Sequence, residues 1–395
     1  SEELNAGNLS MKTSLMNKKI CVVVASRANY ARVKYLMKGI KDQDNLELQL
    51  IVAASALIDR FGKVIDVIVD DGFEPALTID YLIEGETLVT QSKSTGLGII
   101  ELTTAFSSLL PDAVVTVADR FETMATAIAS SYLNIPLVHI QGGEVSGNID
   151  DRVRHAVTKL SDYHFVSTEH SRERVIKMGE EPERVFNFGC PAMDILRNID
   201  LSIEDSKLSL YGGVGYQIDW SQPYILMMQH PVTTSYGKGF NEVTQTLHAL
   251  RDLEDIQKIV LWPNADAGSD DVSKGIRVFR EKLNSSEKFH FYRNFTPEDY
   301  ARVLNNATCL VGNSSSFIRE GSFLGKPAVI VGDRQYDREH GDNIRFSNYD
   351  KDNILQNLKK QMHNKKISKS KIFGLGNAGE LISKELSNLE LQVKR

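Results

Sequence analysis

Ionisable side chains are concentrated in one stretch that follows a short apolar run. Residues 137–155 read LVHIQGGEVSGNIDDRVRH, so an apolar segment ends near His139 and is followed by Glu144, Asp150 and Asp151. In an open α/β sheet, ligands bind outside the carboxyl ends of the strands. Carboxylates that lie close together raise one another's pKa, which lets one of them act as an acid near neutral pH. We therefore expect this stretch to border a ligand-binding crevice.

A second stretch has the features of an anion site. Residues 312–327 read GNSSSFIREGSFLGKP, in which an apolar run ends at Gly312 and three serines open a helix pattern. Backbone N–H groups and hydroxyls at a helix N-terminus bind anions, although Ser314 or Ser315 could simply cap the helix. Arg27 follows the first apolar run, and arginine suits forked contacts to phosphate.

The elements that must position these residues form two series of alternating strand and helix patterns. Strand patterns of the first series lie at 18–25, 46–54, 113–119, 136–140, 163–167 and 184–189. Those of the second series lie at 224–230, 258–264, 288–294, 307–313 and 326–333. Such alternation indicates βαβ units and parallel sheets.

The pattern predicts an α/β protein of the GT-B type, in which two doubly wound, Rossmann-like domains face a cleft. We assign residues 18–197 to the N-terminal domain and 223–375 to the C-terminal domain. The polar, glycine-bearing segment 198–222 is assigned to a linker, and 376–395 to a final helix. Residues 1–17 lack an apolar core and are expected to be a disordered leader or tag.

Composition narrows the class of protein. The 395 residues include 46 basic and 52 acidic side chains, for a net charge of −6, which argues against a nucleic-acid or membrane-surface protein. The three cysteines have no metal-ligand spacing, and their sparse number suits a reducing compartment. We therefore expect a cytoplasmic protein that does not bind nucleic acid, a membrane or a metal ion.

The ordered set of strand-end motifs resembles that of the hydrolysing UDP-N-acetylglucosamine 2-epimerases. These include bacterial enzymes of sialic and legionaminic acid pathways and the epimerase half of the animal bifunctional epimerase/kinase. The resemblance covers roughly residues 18–390 and rests on SRANY, ADR, HIQGGEVSGNIDDRVRHA, QHPVTT, PNADAGS, GNSSSFIREGSFLGKP and DRQYDREHGDN. It implies conversion of UDP-N-acetylglucosamine, or a related UDP-HexNAc, to UDP and a free N-acetylmannosamine-type sugar through a glycal. It also implies a role in nonulosonic acid synthesis, no cofactor, and a homodimer or homotetramer.

The resemblance assigns roles to individual residues. On the nucleotide side, Ser314, Ser315 and Arg27 match diphosphate contacts, and Glu320 matches the residue that accepts hydrogen bonds from both ribose hydroxyls. Arg334 and Asn264 match further residues on the ligand side of the cleft. On the sugar side, the implied catalytic residues are Asp119, Asp150 and His230, with contacts from Arg120, Glu144 and His155.

Several of these assignments have structural alternatives. Arg27 could be a surface arginine, and Asn264 could hold its own turn. Asp119 could cap the helix that begins near Phe121, and Asp151 could exchange roles with Asp150 or cap its own helix. A lone histidine at a strand end, such as His230, is more often structural.

Two amides stand where the resemblance leads us to expect carboxylates, at Asn29 and Gln141. An amide keeps the shape and hydrogen bonds of a carboxylate but cannot carry a proton. We expect Gln141 to orient the acetamido or a hydroxyl group while Asp119, Asp150 and His230 move protons. The alternatives are a different substrate or a silent protein.

The sequence leaves three other functions open. A GT-B glycosyltransferase, a catalytically silent sugar-nucleotide-binding protein and a non-hydrolysing epimerase share the fold. Within the favoured class, UDP-N-acetylglucosamine is the default substrate. A 4-acetamido-6-deoxy sugar of the bacillosamine type is its main rival, and a GDP-linked sugar is a further possibility.

Overall fold

The structure is a computed structural model that describes residues 16–118, 120–146, 149–232, 236–263, 269–364 and 367–395. The predicted leader therefore lies outside the described residues, except for its last two. Within the described ranges no helix combines the length and the apolar character needed to cross a bilayer.

The first half of the chain forms a seven-stranded parallel sheet. Its strands are β1 (Lys18–Val24), β2 (Leu46–Ala53), β3 (Leu77–Ile79), β4 (Ala113–Val117), β5 (Leu137–Ile140), β6 (Tyr163–Val166) and β7 (Val185–Asn187). They pair in the order β3-β2-β1-β4-β5-β6-β7. This is the Rossmann order, in which the chain direction across the sheet reverses between β1 and β4.

The second half repeats the same arrangement. Its strands are β8 (Gly213–Gly215), β9 (Tyr224–Met228), β10 (Gln257–Leu261), β11 (Phe289–Tyr292), β12 (Cys309–Gly312), β13 (Ala328–Val331) and β14 (Ile344–Ser347). They pair in the order β14-β13-β12-β9-β10-β11-β8, and β8 alone runs antiparallel, against β11. Residues 213–215, which the sequence assigns to a linker, thus belong to this sheet.

Helices cover both faces of the two sheets, which explains why the central strands are apolar on both sides. Those of the first half are α1 (Arg27–Asp42), α2 (Val64–Asp70), α3 (Leu88–Leu109), α4 (Phe121–Tyr132), α5 (Ile149–Leu160) and α6 (Glu169–Lys177). The others are α7 (Asp194–Asn198), α8 (Asp205–Leu208), α9 (Gly239–Arg251), α10 (Ser269–Glu281), α11 (Pro297–Asn306), α12 (Ser315–Leu324), α13 (Lys351–His363) and α14 (Ala378–Asn388). The predicted fold class, two doubly wound domains, is confirmed.

Strand register brings the candidate residues together at two switch points. In the first sheet Val22 of β1 lies opposite Val115 of β4, so the loops after these strands emerge side by side. In the second sheet Met228 of β9 lies opposite Gly312 of β12. Ligands of doubly wound sheets bind where the strand order reverses, and here the two reversals face each other.

The last helix returns to the first domain. Helix α14 packs against α1, and Ala378, Ile382 and Leu386 join the apolar cluster on that face of the first sheet. At its far end the ammonium group of Lys18 donates to the carbonyl oxygens of Leu386 and Ser387, at 3.1 and 2.8 Å. The final helix predicted from the sequence is thus part of the first domain's packing.

Candidate active site

A cavity of about 190 Å³ lies between the two domains, at the facing switch points. Its walls contain most of the residues that the sequence singles out. Those that line it are Arg27, Arg120, Asp150, His230, Ser314, Ser315, Glu320 and Arg334. Asp119 and Asn264 lie outside the described residues, so their predicted roles stay predictions.

The N-terminus of α12 forms one end of the cavity. Ser314 is the N-cap of this helix, and its hydroxyl accepts the N–H of Ser316 at 3.3 Å. Ser314, Ser315 and Ser316 all line the cavity. The capping interpretation is confirmed, and it is compatible with the predicted anion site, because the hydroxyls and N–H groups of a capped N-terminus still favour negative charge.

Close backbone packing places this helix next to His230. Gly312 has a φ of +136°, and a Cβ there would lie 1.9 Å from the carbonyl oxygen of Met228, so only glycine fits. The next side chain, Asn313, fixes the neighbouring strand end in both directions. Its Oδ1 accepts the N–H of His230 at 2.6 Å, and its Nδ2 donates to the carbonyl oxygen of His230 at 2.9 Å.

His230 lies in strongly positive surroundings. The side chain is 5% exposed. Burial lowers its pKa well below the ordinary value, and the charges of Arg334, Arg27 and Arg120 lower that pKa further. The imidazole is therefore neutral near pH 7. Several guanidinium groups around one neutral ring form a site that favours an anionic ligand, and such a ligand would in turn raise the pKa of His230.

The three arginines are held by different elements. Arg27 begins α1, directly after β1, and Arg120 precedes α4, where its Nε donates to Glu122 Oε2 at 3.1 Å. Arg334 follows β13, and its Nη1 donates to the carbonyl oxygen of Asn313 at 2.9 Å. The positive charge thus comes from both domains, so a bound anion would hold the two domains together.

Glu320 lies two turns into α12, on the cavity wall. Its Oε2 is buried and accepts no hydrogen bond within the described part of the chain. Burial raises its pKa to about 7, against the opposing charge of Arg319. A buried acceptor without a donor is costly, so this oxygen is suited to hydroxyl donors on a ligand.

The far end of the cavity is apolar. It could hold a flat ring, because its surface is made of small and aliphatic side chains with one aromatic ring. The lining here includes Ala31, Ala192, Ile195, Leu196, Phe295, Pro297, Ala301 and Leu304.

The two adjacent acids of α5 have different surroundings. Asp150 lines the cavity. Asp151 is turned toward its own loop, where its Oδ1 accepts the N–H and hydroxyl of Ser146 at 2.8 and 2.9 Å and Arg154 Nη1 at 2.7 Å. Of the two, Asp150 therefore contributes to the cavity wall and Asp151 holds the loop.

Glu144, predicted to contact the substrate, does not line the cavity and instead bridges the domains. Its Oε2 accepts hydrogen bonds from Arg319 and Arg338 of the second domain. Burial alone would raise the pKa of Glu144, but Arg319, Arg338 and Arg154 outweigh it and hold that pKa at about 2. The carboxylate is therefore ionised, and the ion pairs connect the loop after β5 to α12 and to the segment after β13.

Three other predicted residues also lie away from the cavity lining. Gln141 is fully buried, with a φ of +67°, and its Nε2 donates to Cys190 Sγ at 2.6 Å. Asn29 Oδ1 accepts the N–H of Ala25 at 3.1 Å, so this side chain closes the turn between β1 and α1. His155 is half-buried on α5, where burial and then Arg154 lower its pKa.

Sequence reasoning missed several residues of the site. Arg319 and Arg338 hold Glu144, and Arg338, Arg32 and Tyr300 line the cavity. The dense charge of DRQYDREH after the last strand of the second series was the available signal for Arg338. Among the described residues, no group of His, Cys, Asp or Glu is arranged to hold a metal ion.

Comparison with known proteins gives consistent results. The sequence profile of the family described as UDP-N-acetylglucosamine 2-epimerase matches residues 38–387. The chain is 32% identical to the UDP-N,N'-diacetylbacillosamine 2-epimerase (hydrolyzing) of Legionella pneumophila, over 95% of this chain and 97% of that one. It is 30% identical to the UDP-N-acetylglucosamine 2-epimerase of Neisseria meningitidis, over 86% of each chain.

Solved structures share the fold. A crystal structure of UDP-GlcNAc 2-epimerase from Neisseria meningitidis bound to UDP-GlcNAc superposes with a TM-score of 0.79 at 16% identity, over 94% of this chain and all of that one. The Methanocaldococcus jannaschii UDP-GlcNAc 2-epimerase in complex with UDP-GlcNAc and UDP gives a TM-score of 0.77 at 17% identity, with 94% and 100% covered.

Proposed function

The chain belongs to the UDP-N-acetylglucosamine 2-epimerase family, and from this premise we propose that it is a hydrolysing enzyme. It releases UDP from a UDP-N-acetylhexosamine and returns the free sugar with inverted configuration at carbon 2. The observation that carries the proposal is the buried His230, which lines one cavity together with three arginines, Asp150 and the N-terminus of α12. This membership confirms the resemblance seen in the strand-end motifs.

The nucleotide would lie along the second domain. Its diphosphate fits between the serines of α12 and the guanidinium groups of Arg27 and Arg334, because both supply donors and positive charge. The Oε2 of Glu320, which accepts no hydrogen bond from the described residues, is suited to a ribose hydroxyl, and the apolar end of the cavity to the base. These contacts would place the hexosamine toward Asp150 and His230.

In the first step, a base takes the proton from carbon 2 while the bond between carbon 1 and the diphosphate oxygen breaks. The carbon–hydrogen electron pair becomes the double bond of a glycal, and UDP leaves with the electron pair of the broken bond. The arginines stabilise charge that grows on the leaving oxygen, which is the largest kind of catalytic contribution. The neutral ring of His230 keeps one N–H, which is suited to donate a hydrogen bond to the leaving oxygen.

In the second step, water adds across the double bond. Its oxygen bonds to carbon 1, and a proton reaches carbon 2 from the face opposite the one that lost it. Asp150 is the described carboxylate of the cavity floor that we assign to this proton transfer, with Asp119 as its predicted partner. The two steps sum to UDP-sugar plus water giving free sugar plus UDP, with no cofactor.

We propose UDP-N-acetylglucosamine as the first substrate to test, with UDP-N,N'-diacetylbacillosamine beside it. Relatives of nearly equal identity carry names for the two: 32% and 31% for the diacetylbacillosamine enzymes, and 30% for a UDP-N-acetylglucosamine enzyme. Either product is a 2-epimeric amino sugar of the kind used for nonulosonic acids.

The experiment is to incubate the protein with each sugar nucleotide in D2O and follow the reaction by NMR. The proposal expects free UDP and free 2-epimeric sugar in equal amounts, with one deuterium at carbon 2. An epimer still attached to UDP would indicate a non-hydrolysing enzyme. Binding without any release would indicate a silent sugar-nucleotide-binding protein, and release that needs an added acceptor would indicate a glycosyltransferase.

A further inference from the structure

Asp194 is a buried acid between residues of the cavity wall. Ala192, Ile195 and Leu196 line the apolar end of the cavity, whereas Asp194 is 2% exposed and points away from it. Its Oδ1 accepts the N–H of Ala378 at 2.9 Å, and its Oδ2 accepts the N–H of Gly379 at 2.7 Å. One carboxylate thus joins the segment that enters the second domain to the helix that returns from it.

These bonds replace a local cap of α14. Asn377, the N-cap residue, makes no side-chain capping bond, so Asp194 satisfies N–H groups of the first turn from a distant part of the chain. A carboxylate at a helix N-terminus also interacts favourably with the helix dipole. The position of α14 is therefore tied to that of residues 192–196.

Helix α14 in turn determines where α1 lies. A Cβ at Gly379 would come within 2.6 Å of the backbone of Tyr35, and one at Gly39 would meet Ser383 Oγ at 2.4 Å, so the two helices touch through their backbones. Helix α1 carries Arg27, Ala28, Ala31 and Arg32 into the cavity. Asp194 thus links residues 192–196 to α1 through α14, in addition to the direct packing of α1 on residues 191–193.

The two passages of the chain between the domains also pack without side chains between them. Gly189 and Gly374 have φ values of +87° and +96°, and a Cβ on either would lie 2.7 Å from the other's Cα. Next to them, the N–H of Cys190 donates to the carbonyl oxygen of Phe373 at 2.8 Å. The segment that leads into residues 192–196 is therefore held at a second place to the segment that leads into α14.

We propose that Asp194 is a positioning residue of the reaction, which sets the spacing between α1 and residues 192–196 and so determines nucleotide affinity without touching the substrate. The proposal rests on the proposed function in that it takes the cavity to hold UDP. The proposal predicts that the loss of Asp194 weakens substrate binding more than it slows the chemical step. The reason is that Asp150 and His230, which we assign to the chemical step, lie on other elements.

The test measures UDP affinity by calorimetry, and KM and kcat with the UDP-sugar, for the wild type, Asp194→Ala and Asp194→Asn. Asp194→Ala is expected to weaken UDP binding and raise KM about tenfold, with kcat changed less than about threefold. Asp194→Asn keeps one acceptor oxygen and should give a smaller loss. If Asp194→Ala does not fold, Asp194→Asn carries the test, and it must then weaken UDP binding by at least about threefold.

Asp162 provides a matched control. It is 4% exposed, its Oδ2 accepts the N–H of Leu137 at 2.8 Å, and its Oδ1 accepts the N–H of Lys394 at 2.8 Å, away from the cavity. Asp162→Ala should lower Tm but leave UDP affinity within about twofold of the wild type. The proposal is overturned if both alanine variants lose affinity equally, or if Asp194→Ala binds UDP as the wild type does. A wild type that binds no UDP would overturn the proposed function and this proposal with it.

Discussion

Replacing Glu320 by Gln tests the nucleotide end of the cavity with a change of one atom. If the carboxylate accepts both ribose hydroxyls, the variant keeps one acceptor and loses the charge. Hydrogen bonds to charged groups contribute about 1.5–3 kcal/mol, so UDP binding should weaken roughly ten- to a hundredfold. The fold should persist, because Oε2 makes no hydrogen bond to the described residues that could be lost.

The pH dependence of UDP binding provides a second test of the role of Glu320. Burial raises the pKa of Glu320 to about 7 in the free protein, and UDP should bind the ionised form better. The affinity of the wild type should therefore fall as the pH drops through this value, and the affinity of Glu320→Gln should lack this component. The phosphate of UDP titrates near pH 6, but it does so equally in both proteins, so the difference between their affinities isolates Glu320.

The ionisation of Glu320 has the opposite effect on the stability of the fold from its effect on UDP binding. Because the pKa of Glu320 is raised on folding, the neutral carboxyl is the form that favours the folded state, and that contribution is lost as the pH rises through about 7. Glu320→Gln should thus raise Tm at alkaline pH while it weakens UDP binding.

Calorimetric titrations with UDP at several pH values, combined with melting curves, measure both effects. Glu287→Gln is the matched control, because Glu287 pairs with Arg251 and lies outside the cavity lining. An unchanged Kd in Glu320→Gln, or the same pH dependence as in the wild type, would remove Glu320 from the ribose site.

Three further predictions concern the sugar end of the site. His230→Ala should lower kcat by about 10²–10⁴-fold, with a much smaller change in Kd for UDP. Equal losses in single-turnover kinetics and UDP titration would show that His230 contributes to nucleotide binding alone. Asp150→Asn should abolish most turnover with UDP affinity intact, while Asp151→Asn should mainly lower Tm; a reversed pattern in these two measurements would exchange their roles. Glu144→Gln should weaken the contact between the domains, because Arg319 and Arg338 lose their counter-charge. Scattering of the UDP-bound protein should then detect a more open shape, whereas an unchanged shape with full activity would contradict this prediction.

Long apolar strands and strand-end motifs were predictable because their signals are local. The predicted strand patterns correspond to β1, β2, β4–β7 and β9–β13 of the structure. The strands that were not predicted, β3, β8 and β14, lie at sheet edges, and β8 is the short, exposed segment Gly213–Gly215. An edge strand of this kind forms because a partner is present, and its own residues carry little pattern.

The direction of a side chain was not predictable in the same way. Asp150 and Asp151 are identical in type and adjacent. The contacts of Asp151 with Ser146 and Arg154, and the place of Asp150 in the cavity lining, distinguish them. Likewise, Gln141 points to Cys190, a residue from the passage between the domains, which no local pattern could reveal. Glu144 was expected at the sugar because its partners, Arg319 and Arg338, are distant in sequence.

The return of α14 to the first domain also constrains how the protein is made. Ala378, Ile382 and Leu386 are buried in the same apolar cluster as Leu36, Met37 and Ile40 of α1. During synthesis this face of α1 stays uncovered until nearly the whole second domain has been translated, so the domain that begins first is completed last. A chain that stops before residue 378 should expose this face and bind an apolar dye such as ANS, whereas the full chain should not. The two domains are thus coupled in folding before any ligand couples them in catalysis.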